Sequence, residues 1–471
     1  MRVGPALLRY ATAALVVCAA TPCRADEPRD YDAPVPDRNL VTYLRAAAGV
    51  GIVNWATWQL DWFIDAETIF RVTGRDVIGH PLSGFPFDED TLNANFFGHP
   101  YGGALYFGAA RGAGLSFWES TPFTLGGSLM WELLSESQKP AANDIVSTTL
   151  GGIALGEVLH RLSSRVLDDS RSGFARFARE ALALGVSPTR GLDRLETAQA
   201  WADGAPPIAK PARVVVHGGV DSITAGSVTD SAHYRPGALV AIDVAYGDLL
   251  PAPGKTTIGP YDFFDFYAGA IITTQETQGF EVRSLGLLHG WSSDISSDEG
   301  PSRDNNVFGL VQSGDYEGNN SIEFAGFGVG AGDFVALRSR GGSRLRMGFD
   351  AEWVPVAAVV SAVTPFVQPT TVVRNYNFSM GASLGLTFRW EMGRVGELGL
   401  MARQYGTEVI NGIPGTELFG YSRGWYEVDA LRDLLGVGLA AKFAQLRGTY
   451  AGARSDTATQ LSLELYATLR L

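Results

Sequence analysis

The sequence predicts an α+β chain, in which an N-terminal α-helical domain precedes a transmembrane antiparallel β-barrel of about 12 strands. Three observations carry that expectation. The hydrophobic period changes from helical to two near residue 211. Several alternating runs go well past the ~5–6 residues usual for soluble strands. The first 25 residues have the make-up of an export signal.

The signal combines Arg2 and Arg9, the apolar run Tyr10 to Ala20, and small residues before a cut after Ala25. Both cysteines, Cys18 and Cys23, lie inside it. A mature chain would therefore use no disulfide, thiol nucleophile or cysteine metal site. Removing Arg2, Arg9 and Arg24 takes the formal charge from -13 to -16. An acidic exported protein is a poor match for nucleic acid. The expected partners are outer-membrane lipid and, during biogenesis, the barrel-assembly machinery. Composition agrees, with Gly 57 and aromatics at 11%, because barrels need tight turns and interfacial rings.

Residues 26–40 are polar and carry prolines, which reads as a linker. The helical domain is expected over 41–203. Val41 to Ile64 is its first helix, with an uncharged core too short to be a confident span. Residues 76–90 read as a loop. Helices are expected near 101–112, 123–137 and 143–167, and a charged surface helix over 171–194. Ser120 or Thr121 would cap the second of the three, with Pro122 in its first turn. Gly152 and Gly156 would let the third approach a neighbour closely. Residues 204–210 form a second linker.

The barrel is expected over 211–471. The clearest strand is 375–391. Tyr376, Phe378, Met380, Ala382, Leu384, Leu386, Phe388 and Trp390 share one face, opposite Asn377, Ser379, Gly381, Ser383, Gly385, Thr387 and Arg389. Residues 344–353 repeat the pattern. In a barrel the greasy face meets lipid, while Arg344, Arg346, Asp350, Glu352, Arg389 and Glu391 line a polar lumen. Thirteen runs alternate, including 320–330 and 332–340 as separate strands. Bacterial barrels favour even numbers, so at least one run is miscounted. The final run, Leu461 to Leu471, resembles the C-terminal signal of outer-membrane barrels, with leucine where an aromatic is usual.

The central stretch carries the distinctive motifs. They are Asn95-Phe96-x-x-His99-Pro100-Tyr101-x-Gly103, Ala109-Ala110-Arg111, Phe117-Trp118-Glu119, Gly127-Ser128-x-x-Trp131-Glu132, Glu136, Asn143-Asp144, Thr148, Gly151-Gly152 and Gly156-Glu157. Over roughly residues 40–180 they resemble a bacterial family of exported proteins whose shared domain has no assigned function. The resemblance implies a location and an architecture, and no catalytic assignment. Glu132, Asp144, Thr148 and Gly151 are also similar to a helical pattern of VanZ-like membrane proteins, with Gly156 one residue late.

Glu132 and Glu136 are i, i+4 and share a helix face. With His99 and Asp144 they could form a carboxylate–histidine site for acid–base work or a metal. The alternative is a buried polar network that pins Gly-rich helices, with Arg111 neutralising Glu119 or Glu132. Glu157 and Arg161 read as a helix ion pair. No phosphate loop, dinucleotide fingerprint or H-E-x-x-H motif is present, so the sequence specifies no cofactor and no particular metal. Two functions follow. One is a non-enzymatic envelope scaffold or pore with its helical domain on the periplasmic side. The other is a membrane-bound enzyme acting on an envelope lipid or glycolipid. It would use His99, Glu132 and Asp144 for catalysis, and Arg111, Glu119, Glu136 and Glu157 for binding.

Overall fold

The computed structural model describes residues 27–64, 70–227, 230–249, 255–272, 277–296, 304–319, 322–339, 342–360, 374–431, 434–452 and 454–470. The expected export signal lies outside the described residues.

Twelve long strands close into a barrel. They are β1 (Ala212–Ser227), β2 (Asp230–Gly247), β3 (Phe263–Ile272), β4 (Thr277–Asp294), β5 (Asn305–Asn319), β6 (Glu323–Arg338), β7 (Arg344–Val360), β8 (Tyr376–Glu391), β9 (Glu397–Asn411), β10 (Gly415–Leu431), β11 (Leu435–Tyr450) and β12 (Arg454–Arg470). Each pairs antiparallel with its sequence neighbours, and β1 pairs with β12. Thr257–Ile258 adds a short extra pairing to the end of β4. Closure leaves no free sheet edge, which a bilayer demands. The two runs expected over 320–330 and 332–340 are one strand, β6. Gly330, Ala331 and Gly332 interrupt its hydrophobic pattern but not its pairing with β5 and β7.

Side-chain parity separates inside from outside. Lys442 on β11 reaches Glu281 on β4 at 2.5 Å and Glu317 on β5 at 2.7 Å. Arg389 on β8 reaches Asp243 on β2 at 3.3 Å, and Arg403 on β9 reaches Asp350 on β7 at 2.9 Å. These strands are not neighbours, so the charged face is the lumen. The opposite face of β8 to β12 is bare and apolar. Leu384, Leu386, Leu439, Leu461, Leu463 and Leu465 are all exposed there. A charged interior with an apolar exterior is the outer-membrane type of barrel.

On the other strands one diagonal row of the outer face is covered, while Val220, Val240, Phe308 and Phe349 beside it stay exposed. Val214, Val244, Phe266, Ser284, Gly314, Phe327 and Val356 form one continuous row of paired positions across β1 to β7. All point away from the lumen. Helix α5 (Ala142–Val166) lies along this row. Ile153, Ala154 and Val158 share one core cluster with Val244, Tyr246, Phe264 and Phe266. Val146 and Leu150 pack with Phe327, Val356 and Phe378. Gln312 donates to the Leu150 carbonyl at 2.8 Å. At 1.5 Å per residue a helix of 25 residues is about 37 Å long. That matches a crossing of seven strands spaced about 4.8 Å apart.

The other helices are α1 (Leu40–Ile64), α2 (Gly74–Gly79), α3 (His99–Gly112), α4 (Phe117–Leu134), α6 (Gly173–Val186) and α7 (Pro188–Glu196). A π-helical turn, Ala94–Gly98, leads into α3. The loop expected over 76–90 contains α2 and a short 3-10 turn, His80–Leu82. The charged helix expected over 171–194 is broken at Pro188 into α6 and α7. Helix α4 starts six residues before the expected position. Ser116 accepts from the Glu119 N–H, and the Glu119 carboxylate accepts back from the Ser116 N–H. That Ser-x-x-Glu capping box is the true start signal, and Pro122 sits inside the helix. Among the described residues no helix is long and apolar enough to cross a membrane on its own. Helix α1 nevertheless exposes Leu40, Leu44, Ile52, Trp55, Leu60 and Phe63, and α4 exposes Trp118, Leu125 and Leu134.

Candidate functional site

Three helices bring His99, Glu132 and Asp144 together. His99 is the first residue of α3, with Pro100 behind it at the junction with the π-helical turn. Glu132 lies in the last turn of α4 and Asp144 in the first turn of α5. One possible ligand atom from each lies within 4.8 Å of the others. His99 Nε2 stands 3.5 Å from Asp144 Oδ1. Its Nδ1 is 3.3 Å from Thr148 Oγ1.

Neighbouring groups hold each side chain. The Ala141 N–H donates to Glu132 Oε2 at 2.7 Å. The Trp131 indole donates to Glu136 Oε1 at 2.6 Å. Asn143 Nδ2 donates to Asp144 Oδ1 and to Asp88 Oδ1, both at 2.8 Å. Asn95 Nδ2 donates to Asp88 Oδ1 at 2.9 Å and to the Tyr376 hydroxyl at 2.6 Å. Tyr376 in turn donates to the Asp90 carbonyl at 2.7 Å. The site is thereby tied to the first residue of β8. Glu132 and Asp144 are buried, and among the described residues neither meets a lysine or arginine within ion-pair distance.

The motif-bearing helices can now be placed among known proteins. Residues 84–189 match the family model described as a domain of unknown function, DUF3943. His99, Arg111, Glu119, Glu132, Glu136, Asp144 and Glu157 all fall inside the DUF3943 match. No curated protein matches the chain. Among solved structures the chain is similar to the outer membrane channel DcaP of Acinetobacter baumannii, at 8% identity over 55% of this chain and 96% of that one, with a TM-score of 0.22. It is similar also to the translocator domain of the autotransporter NalP from Neisseria meningitidis, at 11% identity over 56% and 90%, with a TM-score of 0.21. An anion-selective porin from Comamonas acidovorans gives 10% identity over 56% and 100%, with a TM-score of 0.20. Likenesses at that level say nothing of activity.

The remaining sequence-predicted residues of the DUF3943 region stand elsewhere. Arg111 lies twelve residues beyond His99 on α3, about 18 Å along the helix axis. It neutralises Glu157 rather than Glu119 or Glu132, donating from Nε at 2.8 Å and from a terminal nitrogen at 3.2 Å. Glu157 also accepts from Arg161 Nε at 2.8 Å, and all three side chains are buried. Arg161 continues to Asp262, just before β3, at 2.8 Å. Asp32 accepts from Lys210 at 2.8 Å and from the Tyr246 hydroxyl at 2.6 Å. This chain of charges clamps α3 and α5 to the barrel end where β1 begins. Glu119 is the α4 capping residue and also meets Arg38 at 3.0 Å. Its hydrogen bonds from Ser116 push its pKa down to about 2.

Asp88, Asn95 and Asn143 were given no role from the sequence, although all three lie in the motif-bearing stretch. Tyr376 carries no sequence signal of its own, because an outward aromatic on a barrel strand is commonplace.

Proposed function

We propose that this protein is an outer-membrane barrel that acts as a scaffold, carrying the DUF3943 helices on its lipid-facing wall. The row from Val214 to Val356 carries the reading. It points away from the lumen, yet α5 covers it. The leucines of β8 to β12 and the outer residues of α1 and α4 are alike apolar and exposed, which suits surfaces that meet lipid.

The lumen favours a scaffold over a pore. Arg283, Asp315, Arg389, Arg403 and Arg423 line a narrow cavity inside the barrel, and their ion pairs cross it from strand to strand. The larger cavity, about 640 Å³, is a mouth lined by Arg213, Arg344, Asp429 and Arg470. The strand ends at Ala212 and Arg470 share that mouth, which we assign to the periplasmic side. The clamped end of α5 lies near it, and His99 lies toward the opposite rim. The helices would thus enter from the periplasmic side and rise along the wall.

Single cysteines test the reading, since the chain has none beyond Cys18 and Cys23. Cysteine at Ile52, Trp55 or Leu125 should react with an aqueous maleimide as slowly as cysteine at Leu465, in protein reconstituted into vesicles. Labelling as fast as at exposed Asp37 would overturn it. Planar-bilayer recordings should show no steady conductance steps, and porin-sized steps would restore the pore.

A second reading, an enzyme acting on an envelope lipid or glycolipid, draws on the His99, Glu132 and Asp144 cluster on the lipid side of the wall. His99→Ala should then leave barrel assembly normal and alter the envelope lipid profile as deletion of the whole protein does. A profile unchanged in both strains removes this reading.

A further inference from the structure

The buried acids of the helical unit divide into two groups. Glu157 is paired with Arg111 and Arg161. Asp32 is paired with Lys210, Asp168 with Arg171, and Asp169 with Arg176 and Arg194. Glu132 and Asp144 are equally buried, and the basic side chain beside them is a histidine, within 3.5 Å of Asp144. Glu136, expected on the same helix face, instead lies two residues past the end of α4 and adds a third carboxylate. Buried carboxylates are paired, metal-bound or driven to their neutral form, because an isolated charge is too costly. Elsewhere this unit pairs them with arginine or lysine, and at this point it supplies an imidazole instead.

We infer that His99, Glu132 and Asp144 form a binding site for one divalent metal ion of the zinc or manganese kind. Two ligands bonded at about 2.1 Å to one ion lie roughly 3.0–3.4 Å apart. His99 Nε2 and Asp144 Oδ1 are already 3.5 Å apart. All three donor atoms lie within 4.8 Å, so small side-chain rotations bring Glu132 into place. One imidazole and two carboxylates suit a metal of intermediate softness.

The outer contacts are those of a ligand set held in readiness. Thr148 meets the far ring nitrogen of His99, leaving Nε2 for the ion. The Ala141 N–H fixes Glu132, and Asn143 fixes Asp144. Such contacts orient ligands and commonly alter metal affinity by about 10–100-fold. Three protein ligands leave at least one coordination position open, as catalytic rather than structural sites do. The open position would take water or an anionic oxygen. The inference deepens the enzyme reading but does not depend on it, since a metal can bind where no lipid is modified.

The test uses the full chain, folded in detergent and stripped with a chelator. Titration with Mn²⁺, followed by electron paramagnetic resonance, should show one bound ion per chain. Pulsed measurements should show nitrogen coupling from one imidazole, which His99→Ala removes. Glu132→Gln and Asp144→Asn should each weaken binding tenfold or more, while Asp37→Asn, on the exposed segment before α1, leaves it unchanged. Isothermal titration with Zn²⁺ should give the same order of affinities. Heat-modifiable migration on gels identifies variants that still fold. A folded wild-type chain that binds neither ion overturns the inference, as does binding without nitrogen coupling. Cysteine labelling of α1 is independent of metal, so failure here and failure of the wall-borne arrangement are separable.

Discussion

Gly103 of α3 and Gly152 of α5 meet backbone to backbone. A Cβ added to Gly152 would stand 2.5 Å from the Cα of Gly103, and one added to Gly103 would stand 2.0 Å from the Thr148 carbonyl oxygen. The crossing lies one turn beyond His99 on α3 and two turns beyond Asp144 on α5. It therefore sets the depth at which the histidine meets the carboxylates.

Gly103→Ala and Gly152→Ala should each destabilise the helical unit by about 1–3 kcal/mol, the usual cost of overpacking. Gly102→Ala faces open space and should be neutral or slightly stabilising, since alanine is the better helix former. Thermal unfolding monitored by near-ultraviolet circular dichroism measures the difference. Equal melting temperatures for all three variants would contradict so close a crossing.

Phe378 and Leu465 both face away from the lumen, but Phe378 is 0% exposed and Leu465 is 50% exposed. Phe378→Ala should cost about 3–5 kcal/mol of helix docking, as for other buried phenylalanines. Leu465→Ala should have a far smaller effect. Limited proteolysis reads this out, with residues 40–200 cleaved readily in the first variant and protected in the second. Heat-modifiable barrel migration should survive in both.

The two groups of buried acids should answer oppositely to loss of charge. Glu157→Gln leaves Arg111 buried without its carboxylate, while Arg161 keeps Asp262, and should cost about 3–5 kcal/mol. In chelator-stripped protein, Asp144→Asn removes a charge with no arginine or lysine bound to it, so stability should be unchanged or higher. Comparison of the two melting temperatures settles it. An equal loss in both would mean that Asp144 has a cationic partner after all.

Glu119 gives the α4 start a pH dependence. Its pKa falls from 4.5 to about 2 on folding, chiefly through its hydrogen bond with the Ser116 side chain. A lowered carboxylate contributes stability above pH 4.5 that is lost as pH falls toward 2. Glu119→Gln should flatten that part of the acid unfolding curve. An unchanged curve would show that the capping pair is not the titrating element.

Much of the barrel was legible because lumen and lipid impose a period of two on every strand. That rule failed at Gly330 and Gly332, where luminal glycine breaks the pattern without breaking the ladder. The convergence of His99, Glu132 and Asp144 was legible from residue type and helix position. The partner of Arg111 was not, because Glu119, Glu132 and Glu157 are equivalent acids on paper and only the α3–α5 crossing selects among them. Nor could alternation reveal what covers the outer wall. Phe378 and Leu384 occupy the same face of one strand, and an aromatic under a helix reads like an aromatic under lipid.

Helix α5 runs parallel to the hydrogen-bond rows of the barrel, crossing β1 to β7, and so behaves as a hoop around part of a cylinder. Sliding one of those strands past the next would shear many helix contacts at once. The arc from β8 to β12 carries no such reinforcement beyond Tyr376 and Phe378 at the start of β8. The cylinder is therefore mechanically lopsided. Under lateral pressure from the surrounding lipid it would flatten first on its bare side, while the arc beneath His99 and Asp144 kept its curvature.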